Sequence, residues 1–261
     1  MNIFLNQFCG AGIFLIACCL QSCTQSKFLS KDPNKPIIFG MLPADAPFMA
    51  INKKGEYEGF DVDVAREVGK ILNREVQIID LGMPELLIAL DRQKIDALMC
   101  GLNVTTTRLK QFNMVHYQGT KEKVFPLVFW NQMPSDVNSM EDLRGRNLTI
   151  AVLTGTLQEQ FVQQFDFVNC KTVDTYADII LELQYGKVDA ALFDETIENY
   201  AQRFSQFQII NVPVEKFKSS GHGIAIHKDN KKFTKQIEQT IQQLKNNGTI
   251  ARLEDVWQMK R

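Results

Sequence analysis

The sequence predicts an α/β protein built as two similar lobes, and three observations predict it. Strand-like and helix-like apolar patterns alternate along the chain, the signature of parallel sheets flanked by helices. One helix–turn–strand pattern occurs twice. The 261 residues, 45% apolar with 29 basic against 30 acidic side chains, suffice for one large domain or two of ordinary size. That balance excludes a disordered tail, a collagen-like repeat and a polytopic membrane protein. A formal net charge of −1 also excludes the basic footprint with which nucleic-acid binders neutralise phosphates.

The first stretch reads as an address. Met1 to Ser26 carries no charged side chain, and all 29 basic residues lie from Lys27 onward. The apolar run Ile13-Phe14-Leu15-Ile16-Ala17, extended by Cys18, Cys19 and Leu20, has the character of a signal-peptide core and is too short to span a bilayer. Ser22-Cys23 at its end resembles a bacterial lipobox, in which Cys23 would be diacylated and become the new N-terminus. Cys18 is an earlier competing position, and an ordinary signal peptide is the plainer reading. Residues 1–23 are therefore expected to be a signal peptide with a lipobox, and 24–34 a polar linker. Of six cysteines, Cys9, Cys18, Cys19 and Cys23 fall in this leader. Cys100 and Cys170 remain, lack metal-ligand spacing, and read as buried thiols rather than a disulfide.

The elements follow in order. Ile37-Ile38-Phe39-Gly40 is a short buried-strand pattern. Residues 60–72 carry Val64, Val68, Ile71 and Leu72 at helical spacing, with Asp61 and Asp63 near the positive end of the helix. Residues 75–81 read as a strand, 86–90 open a helix, and 95–102 read as a third strand. The stretch Lys94-Ile95-Asp96-Ala97-Leu98 recurs as Lys187-Val188-Asp189-Ala190-Ala191-Leu192, each time after an amphipathic helix. Ligands gather at the carboxyl ends of strands in open α/β sheets. Gly101-Leu102-Asn103 and Phe193-Asp194-Glu195, one group after each copy, are thus expected to face each other across a cleft. Residues 124–130 and 221–227 are strand-like runs where the chain would cross between lobes. Residues 231–257 read as two helices broken at Gly248, with Thr249 as an N-cap.

Gly59-Phe60-Asp61-Val62-Asp63-Val64-Ala65 resembles the signature of the family 3 extracellular solute-binding proteins, the polar amino-acid receptors of ABC importers. The likeness continues through Ala46-Pro47-Phe48 and Gly101-Leu102-Asn103-Val104-Thr105-Thr106-Thr107-Arg108. Further on it takes in Ala151-Val152-Leu153-Thr154-Gly155-Thr156-Leu157-Gln158-Glu159, Val188 to Asp194, Gly223-Ile224-Ala225-Ile226 and Asn247-Gly248-Thr249 with Trp257. It spans essentially the whole chain after the leader. The resemblance implies a type II periplasmic-binding-protein-like fold, two α/β lobes joined by a two-strand hinge with the ligand cleft between them. Lobe 1 would hold residues 35–125 and 227–261, and lobe 2 residues 127–226.

The resemblance also implies a site without metal or cofactor. Arg108 would grip the ligand carboxylate with its planar fork, aided by Asn103, where the family usually has Ser or Thr, and by Thr156 from lobe 2. Asp194 would accept the ligand ammonium, with backbone acceptors from Gly101. Phe48 and Met83 would wall the side-chain pocket, Met83 standing where an aromatic residue is common. Asp45 replaces another aromatic and is set to meet a guanidinium or ammonium, while Leu153 and Gln158 agree with the branch that binds basic amino acids. The expected ligand is arginine-like, with glutamine or another polar amino acid as the alternative. The expected partner is an ABC permease, and the expected setting is the periplasm or cell envelope, as a monomer held to the membrane only through Cys23.

Two other classes compete with this reading. An enzyme on this fold, such as a dehydratase or a lytic transglycosylase relative, needs a positioned acid or base beyond the ligand-holding pair. His116, His222 and His227 show no nucleophile partner or metal-ligand spacing, and there is no Gly-rich phosphate loop. A sensor or adhesin would need a partner to carry its signal.

Overall fold

Alternation of side chains across the first apolar run decides how the chain begins to fold. In β1 (Ile37–Met41), Ile37, Phe39 and Met41 enter one buried cluster while Ile38 packs into another on the opposite face. The computed structural model describes residues 35–43, 47–120, 123–194, 197, 201, 203–214 and 219–259. The leader with Cys18 and Cys23, the linker 24–34, and Asp45 lie outside the described residues.

The first lobe continues with a small ribbon, β2 (Ala50–Ile51) and β3 (Tyr57–Glu58), then α1 (Phe60–Leu72), β4 (Val76–Asp80) and α2 (Met83–Asp91). After α2 come β5 (Ala97–Leu98), β6 (Asn103–Thr105), α3 (Thr106–Gln111) and β7 (Phe112–Gln118). The second lobe holds β8 (Val124–Trp130), a 3-10 turn at Met140–Leu143, β9 (Thr149–Leu153) and α4 (Leu157–Val162). It is completed by β10 (Asn169–Val173), α5 (Tyr176–Gln184), β11 (Ala190–Leu192) and β12 (Phe207–Pro213). The chain then returns through β13 (Ser219–His227) to α6 (Lys231–Asn246) and α7 (Thr249–Val256).

The first sheet runs β4-β1-β5-β13-β6, with β7 also on β13; the second runs β10-β9-β11-β8-β12. In each, the strands linked through helices pair in parallel and the returning strands pair antiparallel. Both faces of each sheet are covered, which is why the strands read as continuous apolar runs. In the first lobe α1, α6 and α7 pack on one face and α2 on the other. In the second, Leu157, Phe161 and Val162 of α4 lie in one cluster, and Ile179, Ile180 and Leu183 of α5 in another.

The lobe boundaries differ from the expected ones. Phe125 belongs to the second lobe's core, so the outward crossing lies before β8. Residues 222–227 of β13 pair with β7 and residues 219–222 with β6, so the return crossing precedes residue 219 rather than residue 227. Beside these crossings Gly119 and Gly221 both have positive φ, and a Cβ on Gly221 would lie 2.6 Å from the Gly119 carbonyl oxygen. The strand expected over 95–102 is also shorter, because Gly101 turns left-handed at φ +59 and separates β5 from β6. Thr249 is the first residue of α7 rather than its cap; Gly248, at φ 77, holds the cap position, and the Asn247 side chain accepts the Thr249 N–H at 3.1 Å.

Candidate functional site

The start of α1 builds one wall of the cleft. Gly59 has φ +135, and a Cβ there would lie 2.2 Å from the Phe48 carbonyl oxygen, so only glycine admits this approach. The Phe60 N–H donates to the Pro47 carbonyl at 2.7 Å and the Asp61 N–H to the Phe48 carbonyl at 3.0 Å. Phe48 is thereby seated with its ring edge-on to His222, centroids 4.9 Å apart, and against Gly101, where a Cβ would come within 2.9 Å.

The cation comes from α3. Thr105 caps that helix by accepting the Arg108 N–H at 3.2 Å. Arg108 is only 5% exposed. Its Nη1 donates to the Asn103 carbonyl at 2.9 Å, and its Nη2 donates to the Gly155 carbonyl at 3.0 Å. Gly155 follows β9, so this guanidinium reaches from one lobe to the other. Met83 meets the same residue, since a Cβ on Gly155 would be 3.0 Å from its Cγ. Leu42 adds an apolar contact by packing against clusters of both lobes.

On the second lobe Thr156 caps α4: its hydroxyl donates to the Leu153 carbonyl at 2.6 Å and accepts the Glu159 N–H at 3.3 Å. The Glu159 carboxylate in turn accepts the Gly155 N–H at 2.6 Å, tying down the turn that faces Arg108. Gln158 is buried, and its Nε2 is a donor without an acceptor among the described residues. Asp194, just after β11, accepts from the Tyr176 hydroxyl at 2.8 Å, and the Tyr176 ring stacks on Phe193. Tyr176, Leu42, Leu81 and Leu153 line a cleft cavity of about 80 Å³.

Electrostatics ties these groups together. Burial pushes the Cys100 thiol up to about 12; the Asp61 charge adds to the rise, Arg108 opposes it, and Asp194 raises it further. Cys100 is therefore within the field of both candidate ligand-holding charges; it and Cys170 are free cysteines, each half-buried as a residue. Asp61 is wholly enclosed, and burial drives its carboxyl up to about 7 against the lowering effect of bonds from Tyr117 and Gly101. His222 is driven down to about 4, by burial first and then by the charges of His116 and Arg108. Among the described residues no three His, Cys, Asp or Glu side chains gather as a metal site, and no helix is long and apolar enough to cross a membrane.

Phe48, Gly101, Asn103 and Arg108 thus form one connected group on the first lobe; Met83 and Arg108 carry it to Gly155, beside Leu153 and Thr156. Asp194 joins through the Tyr176 bond and the shared field at Cys100. Tyr176, Cys100, Asp61 and His222 were not singled out for the site by sequence reasoning. No linear pattern marks Tyr176 as the partner of Asp194. Asp61 was visible as an acid near a helix start and as part of the Gly59–Ala65 motif, with no sign that its carboxylate turns inward.

Comparison with known proteins gives a consistent picture. Residues 37–260 match the bacterial extracellular solute-binding proteins, family 3. ArtJ of Chlamydia trachomatis, named a probable ABC transporter arginine-binding protein, is 28% identical over 245 residues, covering 92% of this chain and 91% of its own. The arginine-binding extracellular protein ArtP of Bacillus subtilis is 27% identical, covering 94% and 96%. Among solved structures, holo ArgBP from T. maritima superposes with a TM-score of 0.72 at 27% identity, over 80% of this chain and 90% of that one.

Proposed function

The chain belongs to the bacterial extracellular solute-binding proteins of family 3, and from that premise we propose that it captures a free arginine-like amino acid and delivers it to an ABC permease. The observation that carries this reading is Arg108, nearly buried on one lobe and bonded to Gly155 on the other. A planar guanidinium so placed suits an α-carboxylate, which would bind it bidentately in a site dry enough for charge-assisted bonds to count. Asp194, on the second lobe and in the field that also reaches Cys100, suits the α-ammonium. A ligand that holds both ends favours the joined arrangement by its differential affinity for it.

For the side chain, Leu42, Met83 and Leu153 offer apolar surface to an aliphatic stem. The Gln158 Nε2, a buried donor without an acceptor among the described residues, suits an oxygen of the ligand, its carboxylate or the amide oxygen of glutamine, since a guanidinium carries donors only and an unmet buried donor costs about 1–3 kcal/mol. Relatives named for arginine favour that amino acid, and glutamine or another polar amino acid is the alternative. The proposal extends to the ends of the story: export by residues 1–23, a lipid on Cys23, a monomer in the envelope, and a receptor that returns its ligand unchanged.

The test is calorimetry and thermal shift with the twenty amino acids. Arginine is expected to give the largest stabilisation, growing as RT ln(1 + [L]/Kd), and to be recovered intact. A larger shift with glutamine would reassign the ligand, product formation would make the protein an enzyme, and no shift with any amino acid would overturn the reading. Mass spectrometry of the membrane fraction checks the lipid on Cys23.

A further inference from the structure

We propose that Asp61 is a positioning residue for ligand capture, holding Phe48 and Gly101 at one fixed spacing so that both present correctly to the amino acid. The inference rests on the receptor reading above. Three bonds converge on this residue. Its N–H donates to the Phe48 carbonyl at 3.0 Å. Its Oδ2 accepts the Gly101 N–H at 2.8 Å, and its Oδ1 accepts the Tyr117 hydroxyl at 2.7 Å. The Gly101 bond fixes the plane of the Cys100–Gly101 peptide, whose acceptor is the Cys100 carbonyl, and so anchors the start of the turn that carries the Gly101 carbonyl.

The placement is costly, which argues that it does something. A carboxyl at 0% exposure loses its hydration, and only the two donors offset that loss. An apolar residue would fill the same space beside Phe60 and Tyr117, stacked at 6.0 Å, without that cost. What an apolar residue could not do is hold the Gly101 amide. Pre-set geometry of this kind raises affinity by removing ordering that binding would otherwise impose.

The experiment compares arginine with 5-guanidinopentanoate, the same molecule without its α-ammonium, on four proteins. In the unaltered chain arginine is expected to bind far more tightly. Asp61→Ala is expected to weaken arginine binding by roughly tenfold to a hundredfold and to shrink its preference over the des-amino compound, because the turn's acceptors lose their aim. Asp61→Asn is expected to stay within about threefold, since its Oδ1 can take the Gly101 N–H while its Nδ2 donates to Tyr117. Tyr117→Phe removes one donor to the carboxylate while leaving the Gly101 bond to Asp61 in place, and is expected to lower stability while sparing affinity.

A folded Asp61→Ala that binds arginine like the parent, a fall shared equally by both ligands, or Asp61→Asn as weak as Asp61→Ala would each overturn the proposal. If Asp61→Ala does not fold, amide exchange in the unaltered protein decides: the Gly101 N–H is expected to exchange as slowly as the core strands before ligand is added, and loop-like exchange would overturn the idea. Failure of the unaltered chain to bind any amino acid would instead defeat the receptor reading, and this inference with it.

Discussion

The two lobes use one device in two environments. Each has a helix, a turn bearing Lys and Asp, and a short inner strand. In the first, the Asp96 carboxylate accepts the Ile38 N–H at 2.9 Å and its own N–H donates to the Ile38 carbonyl at 2.8 Å. In the second, Asp189 accepts the Thr149 N–H at 2.7 Å and donates to the Thr149 carbonyl at 2.9 Å. The carboxylates pin the neighbouring strand identically, yet Asp96 is buried and Asp189 exposed. The same asymmetry runs through the site. Asp61, Asn103, Arg108, Gln118 and His222 are buried polar groups of the first lobe, whereas the described second lobe buries Thr156 and Gln158. Among the described residues, the candidate site's buried polar groups thus lie mainly on the first lobe.

This contrast can be broken most directly at the two candidate charges. Arg108→Ala and Asp194→Ala are each expected to reduce arginine affinity by more than about a hundredfold in calorimetry, because losing one partner of a desolvated charged pairing costs several kcal/mol. Arg108→Ala should also destabilise the unliganded protein, since its guanidinium bonds two backbone carbonyls, and so should Asp194→Ala, through loss of the bond from the Tyr176 hydroxyl. Near-normal affinity in either variant would remove that residue from the site.

The repeated aspartates sharpen the comparison next. Asp96→Ala leaves the Ile38 N–H without its acceptor in a buried setting and is expected to cost about 1–3 kcal/mol. Asp189→Ala leaves the Thr149 N–H to water in an exposed setting and should cost less than about 1 kcal/mol. Equal losses in urea unfolding would show that the two lobes are not energetically different at this device.

Acidification of the parent protein gives the smallest net effect, because two groups titrate against each other. His222 has its pKa lowered from 6.5 to about 4, so the unfolded chain takes up a proton there before the folded one does. Its contribution is therefore present above pH 6.5 and lost as pH falls toward 4, at about 1.4 kcal/mol per pH unit. Asp61, raised from 3.8 to about 7, runs the other way, its cost fading as pH falls through that window. The two slopes oppose each other in the parent protein. His222→Gln is expected to leave only the second, so that its stability relative to the parent improves steadily from pH 6.5 to 4 in thermal melts. A constant difference across that range would contradict the shift at His222.

Much of the fold was legible because it is written locally. Residues 37–40, 60–72, 75–81 and 124–130 were read close to the observed β1, α1, β4 and β8. Where the reading slipped, a single backbone angle or a pairing was responsible: Gly101 divides one expected strand into β5 and β6, and pairing with β7 draws 222–227 into the first lobe. The candidate site was legible as residue types, through Arg108, Asp194 and Gly101, but not as bonds.

The chain by itself determined the alternation of strand and helix, the repeated turn with its aspartate, and the residue types available to the candidate site. These follow from side-chain periodicity and backbone preference, which act between neighbours. Only the tertiary structure decided that Asp61 serves Gly101 and Tyr117, that Arg108 reaches Gly155, that Tyr176 meets Asp194, and that His222 lies against Phe48. Those partners are far apart along the sequence. Which donors and acceptors pair across such separations depends on how whole sheets and helices pack, because a buried polar group must find its partner wherever the fold brings one within reach.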